Sequence, residues 1–229
     1  MVILNDMVMK KSNKRMRRSE ENLITRVYRP FTEQITKILV KTSITANQVT
    51  AIGVFISIVA GFFLALGEWK YLLIGAIGTQ LVLISDLVDG QVARYKNLIT
   101  PFGGWWDPIA NKIFKYFLFF GAIIGVYRVS GDPLILIIGA MAIFNVTMIA
   151  FVSNFRNFYD FSKEYHELPR INKKFDIPFG LLTVFALSIF ALLNIVSLYL
   201  WFFAIFGTIA WMKQVYSHYK LAKNYKPKN

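Results

Sequence analysis

Residues 85–94 read SDLVDGQVAR, and Gly103 and Asp107 follow shortly afterwards. This stretch places the carboxylates of Asp86, Asp89 and Asp107 inside or at the edge of strongly apolar segments. A carboxylate at membrane depth is costly unless it has a partner or a metal ion. Three of the 13 acidic residues of the chain lie between positions 86 and 107. This concentration of negative charge indicates a bound cation.

The spacing within the stretch predicts a single functional face. If the segment from about 70 to 95 is helical, one face carries Asp86, Asp89, Gly90, Ala93 and Arg94. Two acids on that face can bind a hard divalent cation through oxygen. The two small residues leave a hollow, and the arginine suits a phosphate group. The alternative is a structural polar cluster in which the arginine pairs with one acid.

These residues resemble the signature of the CDP-alcohol phosphotransferase family, D-x-x-D-G-x-x-A-R followed by G-x-x-x-D-x-x-x-D. The last aspartate of the signature is replaced here by Asn111. Residues 44–50, ITANQVT, are similar to the T-P-N-x-x-T segment before the first membrane helix of the family, with Ala46 where proline is usual. The resemblance is weakest in the last third of the chain, where only hydropathy agrees.

The resemblance implies roles for individual residues. Asp86, Asp89 and Asp107 would bind one or two Mg²⁺ or Mn²⁺ ions, and position 111 would be both a ligand of the second ion and the general base. The CDP group would be contacted by Asn47, Thr50, Gly90, Ala93, Arg94, Thr100 and Gly103. Three of these residues have simpler alternatives. Asn47 and Thr50 could cap a helix, and Thr100 could only form the turn before Pro101.

Composition predicts an all-α integral membrane protein. The chain has 229 residues, of which 55% are hydrophobic, and this is too apolar for an ordinary soluble domain. Each predicted span approaches the ~20 residues needed to cross a bilayer. Six spans are expected, at about 47–67, 71–93, 105–127, 133–153, 177–195 and 197–214. The predicted organisation is a basic segment 1–29, an interfacial helix 30–46, a catalytic domain 47–216 and a basic tail 217–229.

The interfacial helix is predicted from an amphipathic pattern. Pro30 fits a first helical position, and Phe31, Ile35, Ile38 and Leu39 share one face. A soluble N-terminal helix packing on the inner loops is the alternative.

The net charge of +13 indicates orientation rather than nucleic-acid binding. With the N-terminus inside, the inner segments hold 22 of the 26 lysines and arginines, as the positive-inside rule requires. Both termini and the acidic motif then face the cytoplasm of a multi-pass cell-membrane protein. Anionic lipid headgroups account for the basic N-terminus, so no nucleic-acid partner is predicted.

The resemblance implies an enzyme of phospholipid biosynthesis, a homodimer by analogy, that transfers a phosphoalcohol group from a CDP-linked donor to an acceptor hydroxyl and releases CMP. The acceptor is expected to be a polar or phosphorylated polyol, whose phosphate Lys112, Lys115, Arg156 and Arg170 could bind. Lys112 and Lys115 could equally extend to the membrane interface. An alternative that stays open is transfer of the group from a soluble CDP-linked donor to a lipid alcohol.

Asn111 is the departure from the pattern. An amide does not take up a proton at neutral pH, so the chain is expected to turn over slowly. Two other classes of function stay open, an ion-coupled transporter and a CDP-lipid-binding protein without catalysis.

Overall fold

All regular structure in the described part of the chain is helical, which confirms the all-α prediction. The computed structural model describes residues 23–158 and 179–223. The helices are α1 (Leu23–Val40), α2 (Ala46–Leu66), α3 (Trp69–Tyr95), α4 (Pro101–Ser130), α5 (Leu134–Phe158), α6 (Phe179–Leu192) and α7 (Val196–Lys223). The predicted segment 1–29 lies mostly outside the described residues, and α7 continues past the predicted start of the tail at 217.

Within residues 23–158 and 179–223, five helices are long and apolar enough to cross a membrane: α2, α3, α4, α5 and α7. The bounds of α2 and α3 lie within two residues of the predicted spans, whereas α4, α5 and α7 extend further. The remaining apolar helix, α6, has only 14 residues. A multi-pass membrane protein agrees with these lengths, and a sixth span stays a prediction.

Local sequence explains where the central helices begin and end. Thr45 caps α2 by accepting a hydrogen bond from the Gln48 backbone N–H, and the Gln48 side chain accepts one from the Thr45 N–H. Gly67 ends the same helix with a positive φ of 77°, a conformation that glycine adopts without penalty. The capping alternative for Asn47 and Thr50 is therefore wrong, because the reciprocal cap places both residues inside the helix.

The N-terminal helix differs from the prediction. α1 begins by Leu23, so Pro30 lies inside it and is not a first helical residue. An interior proline costs about 3 kcal/mol. Packing of the first turns compensates: Tyr28 and Ile24 contact the main hydrophobic core, and Tyr28 donates a hydrogen bond to Gln80 of α3.

The predicted apolar face of α1 is divided between two environments. Ile35 and Leu39 pack against a small core on α2 and α3, whereas Phe31 and Ile38 are exposed. Gln91 of α3 forms hydrogen bonds with the buried hydroxyls of Thr32 (2.9 Å) and Thr36 (2.8 Å). α1 therefore packs along α3, and its location at the membrane interface stays a prediction.

Glycines bring α2 and α4 into direct backbone contact. A methyl group on Gly121 would lie 2.2 Å from the carbonyl oxygen of Gly61, and one on Gly125 would lie 2.0 Å from that of Leu64. α3 packs on α2 as well, and only residues 96–100 separate α3 from α4. The end of α3 and the beginnings of α2 and α4 therefore meet in one place.

Candidate active site

The three predicted acids lie together at this meeting point. Asp86 and Asp89 are on α3, and Asp107 is in the second turn of α4. Carboxylate oxygens, one from each residue, lie within 4.8 Å of one another. The short connection between α3 and α4 reverses the chain, so acids that are distant in sequence converge. The structural requirement for a shared cation is met.

Thr50 of α2 orients one of these acids. Its hydroxyl donates a hydrogen bond of 2.7 Å to Asp89 Oδ2, and the Gly90 backbone N–H donates to Asp89 Oδ1. Thr50 was predicted to contact the CDP group, but in the structure its side chain contacts the acidic cluster. Sequence indicated only that this residue belongs to the site. Its partner depends on the approach of α2 to α3.

A second contact holds the same helices in register. The buried Ser85 hydroxyl donates a hydrogen bond of 2.9 Å to the backbone carbonyl of Val49. Gly53 is required beside it, since an added methyl group would lie 2.5 Å from Ser85 Oγ. Ser85 and Gly53 were not singled out from the sequence. Their signal is weak, because small residues are common in packed membrane helices.

Asn111 lies one turn after Asp107, as predicted, and bonds to it directly. Its amide nitrogen donates to Asp107 Oδ1 at 2.9 Å and to the Asp107 backbone carbonyl at 3.2 Å. The Asn111 side chain also interacts with Asp86. The amide therefore occupies the fourth position of the cluster as a hydrogen-bond donor, whereas a carboxylate there would be an acceptor.

The residues predicted to bind nucleotide form two groups beside the acids. Asn47 and Thr100 both face Gly103: a methyl group on Gly103 would lie 3.2 Å from Asn47 Oδ1 and 3.2 Å from Thr100 Oγ1. Thr100 is also the N-cap of α4, since its side chain accepts a hydrogen bond from the Gly103 N–H. It thus has a structural role beyond the turn before Pro101.

The second group lies on α3. The guanidinium of Arg94 lies over Gly90, where an added methyl group would be 3.2 Å from Nη1. Ala93 precedes this arginine, and its backbone carbonyl accepts a hydrogen bond from the Leu98 N–H. Lys96 fixes the end of α3, because its ammonium donates to the carbonyls of Thr42 and Ile44. The hollow predicted from the small residues is therefore bordered by a guanidinium.

A small cavity opens between α4 and α5. It is lined by Lys112, Lys115, Tyr116, Phe119, Ile143, Val146, Thr147 and Ala150. Of the basic residues predicted to bind an acceptor phosphate, Lys112 and Lys115 are thus brought together. Arg156 is on α5, and Arg170 lies outside the described residues. The Lys115 ammonium lies beside Gly180 at the start of α6, and its extension to the membrane interface stays an alternative.

The donor chemistry of the cluster fits a hard divalent cation. Three carboxylates provide only oxygen ligands, which suit Mg²⁺ and Mn²⁺. Thr50 supplies the supporting hydrogen bond that ligating carboxylates usually receive. Asp86, Asp89 and Asp107 could therefore hold such an ion.

Curated relatives match parts of the chain. An uncharacterised protein of Aquifex aeolicus is 31% identical over 115 residues, which are 48% of this chain and 57% of the relative. A CDP-diacylglycerol–glycerol-3-phosphate 3-phosphatidyltransferase of Rickettsia typhi is 48% identical over 40 residues, 18% of this chain and 22% of the relative. An archaetidylinositol phosphate synthase of Pyrococcus horikoshii is 32% identical over 94 residues, 41% of this chain and 48% of the relative. Each match spans less than two thirds of the relative.

Solved structures share the fold. The phosphatidylinositol phosphate synthase of Mycobacterium tuberculosis with CDP-DAG bound superposes with a TM-score of 0.63 at 18% identity, covering 81% of this chain and 92% of that chain. The same enzyme in complex with manganese and citrate gives a TM-score of 0.64 at 18% identity, covering 82% and 88%.

The sequence profile that matches is that of the CDP-alcohol phosphatidyltransferases, and it covers residues 43–216. This range includes α2 through most of α7 and every residue of the acidic cluster. The chain therefore belongs to the CDP-alcohol phosphatidyltransferase family.

Proposed function

We propose that this protein is a metal-dependent transferase of membrane phospholipid biosynthesis. It moves a phosphatidyl-type group from a CDP-linked donor to an acceptor hydroxyl and releases CMP. The observation that carries the proposal is the cluster of three carboxylates within 4.8 Å, located where α2, α3 and α4 of the family domain meet. Family membership and this donor set favour the transferase over an ion-coupled transporter.

The proposed donor is a CDP-linked lipid of the CDP-diacylglycerol type. The solved phosphatidylinositol phosphate synthase with the same fold binds CDP-DAG, which supports this choice. Arg94 above Gly90 offers a guanidinium that can bind a phosphate in bidentate fashion. Asn47, Thr100 and Gly103 lie close together at the start of α4, and their small and polar side chains suit a cytidine group.

The metal proposal assigns Asp86, Asp89 and Asp107 as ligands of Mg²⁺ or Mn²⁺. The structure of the synthase with manganese supports this assignment. When bound, the cation neutralises the donor diphosphate and polarises the reacting phosphorus centre. Thr50 keeps the Asp89 carboxylate turned toward its neighbours through the 2.7 Å hydrogen bond. This orientation exists before substrate arrives, so little rearrangement is needed.

The proposed acceptor is a phosphorylated polyol. The small cavity between α4 and α5 is lined by the ammonium-bearing Lys112 and Lys115, with Tyr116 and Thr147 as hydrogen-bonding groups. Lys115 also interacts electrostatically with Asp86 and Asp107. A cation together with two hydroxyl groups suits a phosphate and a sugar-like alcohol. The named relatives include enzymes that act on glycerol 3-phosphate or make archaetidylinositol phosphate, in agreement with this chemistry.

The proposed activity is impaired by Asn111. The group at position 111 must take the proton of the acceptor hydroxyl, and an amide does not. The Asn111 amide instead donates to Asp107 Oδ1 at 2.9 Å, which removes acceptor capacity from the cluster. General-base catalysis contributes about 10²–10⁴-fold to rate, so the chain should turn over slowly by a comparable factor.

The same observation favours one other candidate, a CDP-lipid-binding protein without transfer. Binding requires Arg94 and the three carboxylates but not a base, and these residues are retained. The two candidates differ in what Asn111→Asp does: transfer increases in an impaired enzyme, whereas only binding changes in a protein that has lost catalysis altogether.

We propose six spans, with α6 as the shortest, and both termini in the cytoplasm. The active site then faces the cytoplasm, in agreement with the positive charge of the inner segments, and α1 lies at the interface. Organisation as a homodimer is proposed by analogy with the family. Single cysteines at Glu68 and Arg170 test the orientation, and the natural chain has no cysteine to interfere. Labelling of both from the same side would contradict it.

The decisive experiment measures CMP release by the full chain in nanodiscs. The donor is CDP-diacylglycerol, the acceptors are glycerol 3-phosphate and inositol phosphate, and Mn²⁺ is titrated. We expect Asn111→Asp to raise transfer by about 10²–10⁴-fold and Asp86→Ala to abolish metal-dependent donor binding. Glu68→Gln is the matched control, because this exposed acid pairs with Lys70 at the opposite end of α3. Donor binding that persists in Asp86→Ala would refute the metal assignment.

A further inference from the structure

Lys115 has an unusual position for a lysine in an apolar helix. It lies one turn after Asn111 on α4, and its ammonium reaches across to the start of α6. A methyl group on Gly180 would lie 3.2 Å from Lys115 Nζ. The ammonium therefore lies beside Gly180, at the start of α6.

This ammonium lies within electrostatic reach of the acidic cluster. Asp86 and Asp107 both interact electrostatically with Lys115. Lys112 lines the same cavity, but among the described residues it is not one of the electrostatic partners of either acid. Both lysines line the cavity, and Lys115 is the one that interacts electrostatically with Asp86 and Asp107.

Asn111 blocks the side of the cluster next to Lys115. Its amide N–H group donates to Asp107 Oδ1, so Asn111 offers a cation only its neutral amide oxygen, a weaker ligand than a carboxylate. A second cation at this side would have only this weak ligand at position 111 and would meet the Lys115 ammonium. The local chemistry disfavours a second ion on two independent grounds.

The balance of charges gives a further argument for a single cation. The three carboxylates carry three negative charges, and one divalent cation with one ammonium carries three positive charges. Asp89 is buried, Asp86 is partly buried and Asp107 is exposed, and charges that are withdrawn from water need compensation. We infer that the acidic centre of this protein binds a single divalent cation and that Lys115 supplies the remaining positive charge, in the place of a second cation. This inference rests on the proposed function only in taking the centre to bind a divalent cation.

The test is the stoichiometry of Mn²⁺ binding to the full chain, measured by electron paramagnetic resonance and calorimetry without substrate. The wild type should bind a single ion. Lys115→Met should still bind one ion, because Asn111 is retained, but with about tenfold higher affinity, since a like charge has been removed. Asn111→Asp should bind one ion, and Asn111→Asp with Lys115→Met should bind two.

Two further variants control for folding and for charge. Lys115→Arg keeps the positive charge and should keep one ion in the Asn111→Asp background. Lys112→Met removes a neighbouring charge from the same cavity and should change Mn²⁺ affinity less than Lys115→Met does. Thermal unfolding confirms that each variant is folded. If Lys115→Met does not fold, the inference is still tested by Asn111→Asp alone and by Asn111→Asp with Lys115→Arg, because each of these variants must bind one Mn²⁺ ion.

The outcomes separate this inference from the proposed function. No Mn²⁺ binding by the folded wild type would overturn both. One ion in the wild type, with two ions in Asn111→Asp while Lys115 is retained, would overturn the role of Lys115 alone. Unchanged affinity in Lys115→Met would do the same. One ion in Asn111→Asp and two in the double variant would support the inference.

Discussion

The hydrogen bond from Thr50 to Asp89 offers the sharpest test of how the acidic cluster is built. The Thr50 hydroxyl is buried and donates to Asp89 Oδ2 at 2.7 Å, with a longer contact of 3.1 Å to the Ala46 carbonyl. Thr50→Val replaces the hydroxyl with a methyl group of nearly the same size. The helix and its packing are kept, and only the hydrogen bonds of the hydroxyl, to Asp89 and to the Ala46 carbonyl, are removed.

The expected loss follows from the surroundings of Asp89. Asp89 is only 5% exposed, so water does not readily replace the lost hydrogen-bond donor. A hydrogen bond to a charged group contributes about 1.5–3 kcal/mol. The Gly90 N–H still donates to the other carboxylate oxygen, which favours the lower half of that range. We therefore expect Mn²⁺ affinity to fall about 10–100-fold, the loss typical of a group that orients a metal ligand.

The assay is Mn²⁺ binding to the full chain in nanodiscs, with thermal unfolding of the metal-free protein measured in parallel. Thr50→Ser is the matched control, because it keeps the hydroxyl and should bind Mn²⁺ nearly as the wild type does. If folded Thr50→Val binds Mn²⁺ within about twofold of Thr50→Ser, a difference too small for a lost charged hydrogen bond, Thr50 does not orient a metal ligand.

Three other predictions concern stability. Burial raises the pKa of Tyr28 above its usual 10.0. The stability that neutral Tyr28 confers is therefore complete below pH 10 and is lost as pH rises through the raised pKa. Tyr28→Phe should reduce this loss of stability at alkaline pH, as measured by unfolding. Gly121→Ala should destabilise the folded protein by about 1–3 kcal/mol or more, because its methyl group would lie 2.2 Å from the Gly61 carbonyl oxygen. Gly104→Ala is the control and should not destabilise it, because no atom lies within 4 Å of the added methyl group. Equal unfolding midpoints of the two variants in urea would contradict the close packing. A chelator should lower the melting temperature of the Mn²⁺-loaded wild type, because it removes about 2.7 kcal/mol of stabilisation if the ion was at 100 times its dissociation constant. The same chelator should leave the melting temperature of Asp86→Ala unchanged.

Sequence was sufficient to place the acidic cluster because the relevant geometry is local. Asp86 and Asp89 are three residues apart on one helix, and residues 96–100 are too few to carry the chain far before Asp107. Hydropathy gave the membrane helices for a similar reason, since apolar length alone determines which segments can cross. Both inferences use only neighbours in sequence.

What sequence did not predict depends on contacts between distant segments. Pro30 was interpreted as a helix start from its backbone preference, but contacts of Tyr28 with α3 and the core outweigh that preference. Thr50 was assigned to the nucleotide because it belongs to a known segment, and its contact with Asp89 spans 39 positions. The location of Lys115 beside Gly180 joins α4 to α6 across 65 positions, and no local pattern encodes it.

The departure at position 111 is explained by the difference between shape and charge. Asparagine and aspartate have nearly the same shape, so the fold accepts either residue, and the convergence of Asp86, Asp89 and Asp107 is preserved. The substitution removes one negative charge and turns a hydrogen-bond acceptor into a donor toward Asp107. A cluster with one charge fewer needs one positive charge fewer to be neutral. In the one-cation centre that we propose, Lys115 and a single divalent cation supply that charge. The loss of the acid and the position of Lys115 then belong to one electrostatic arrangement.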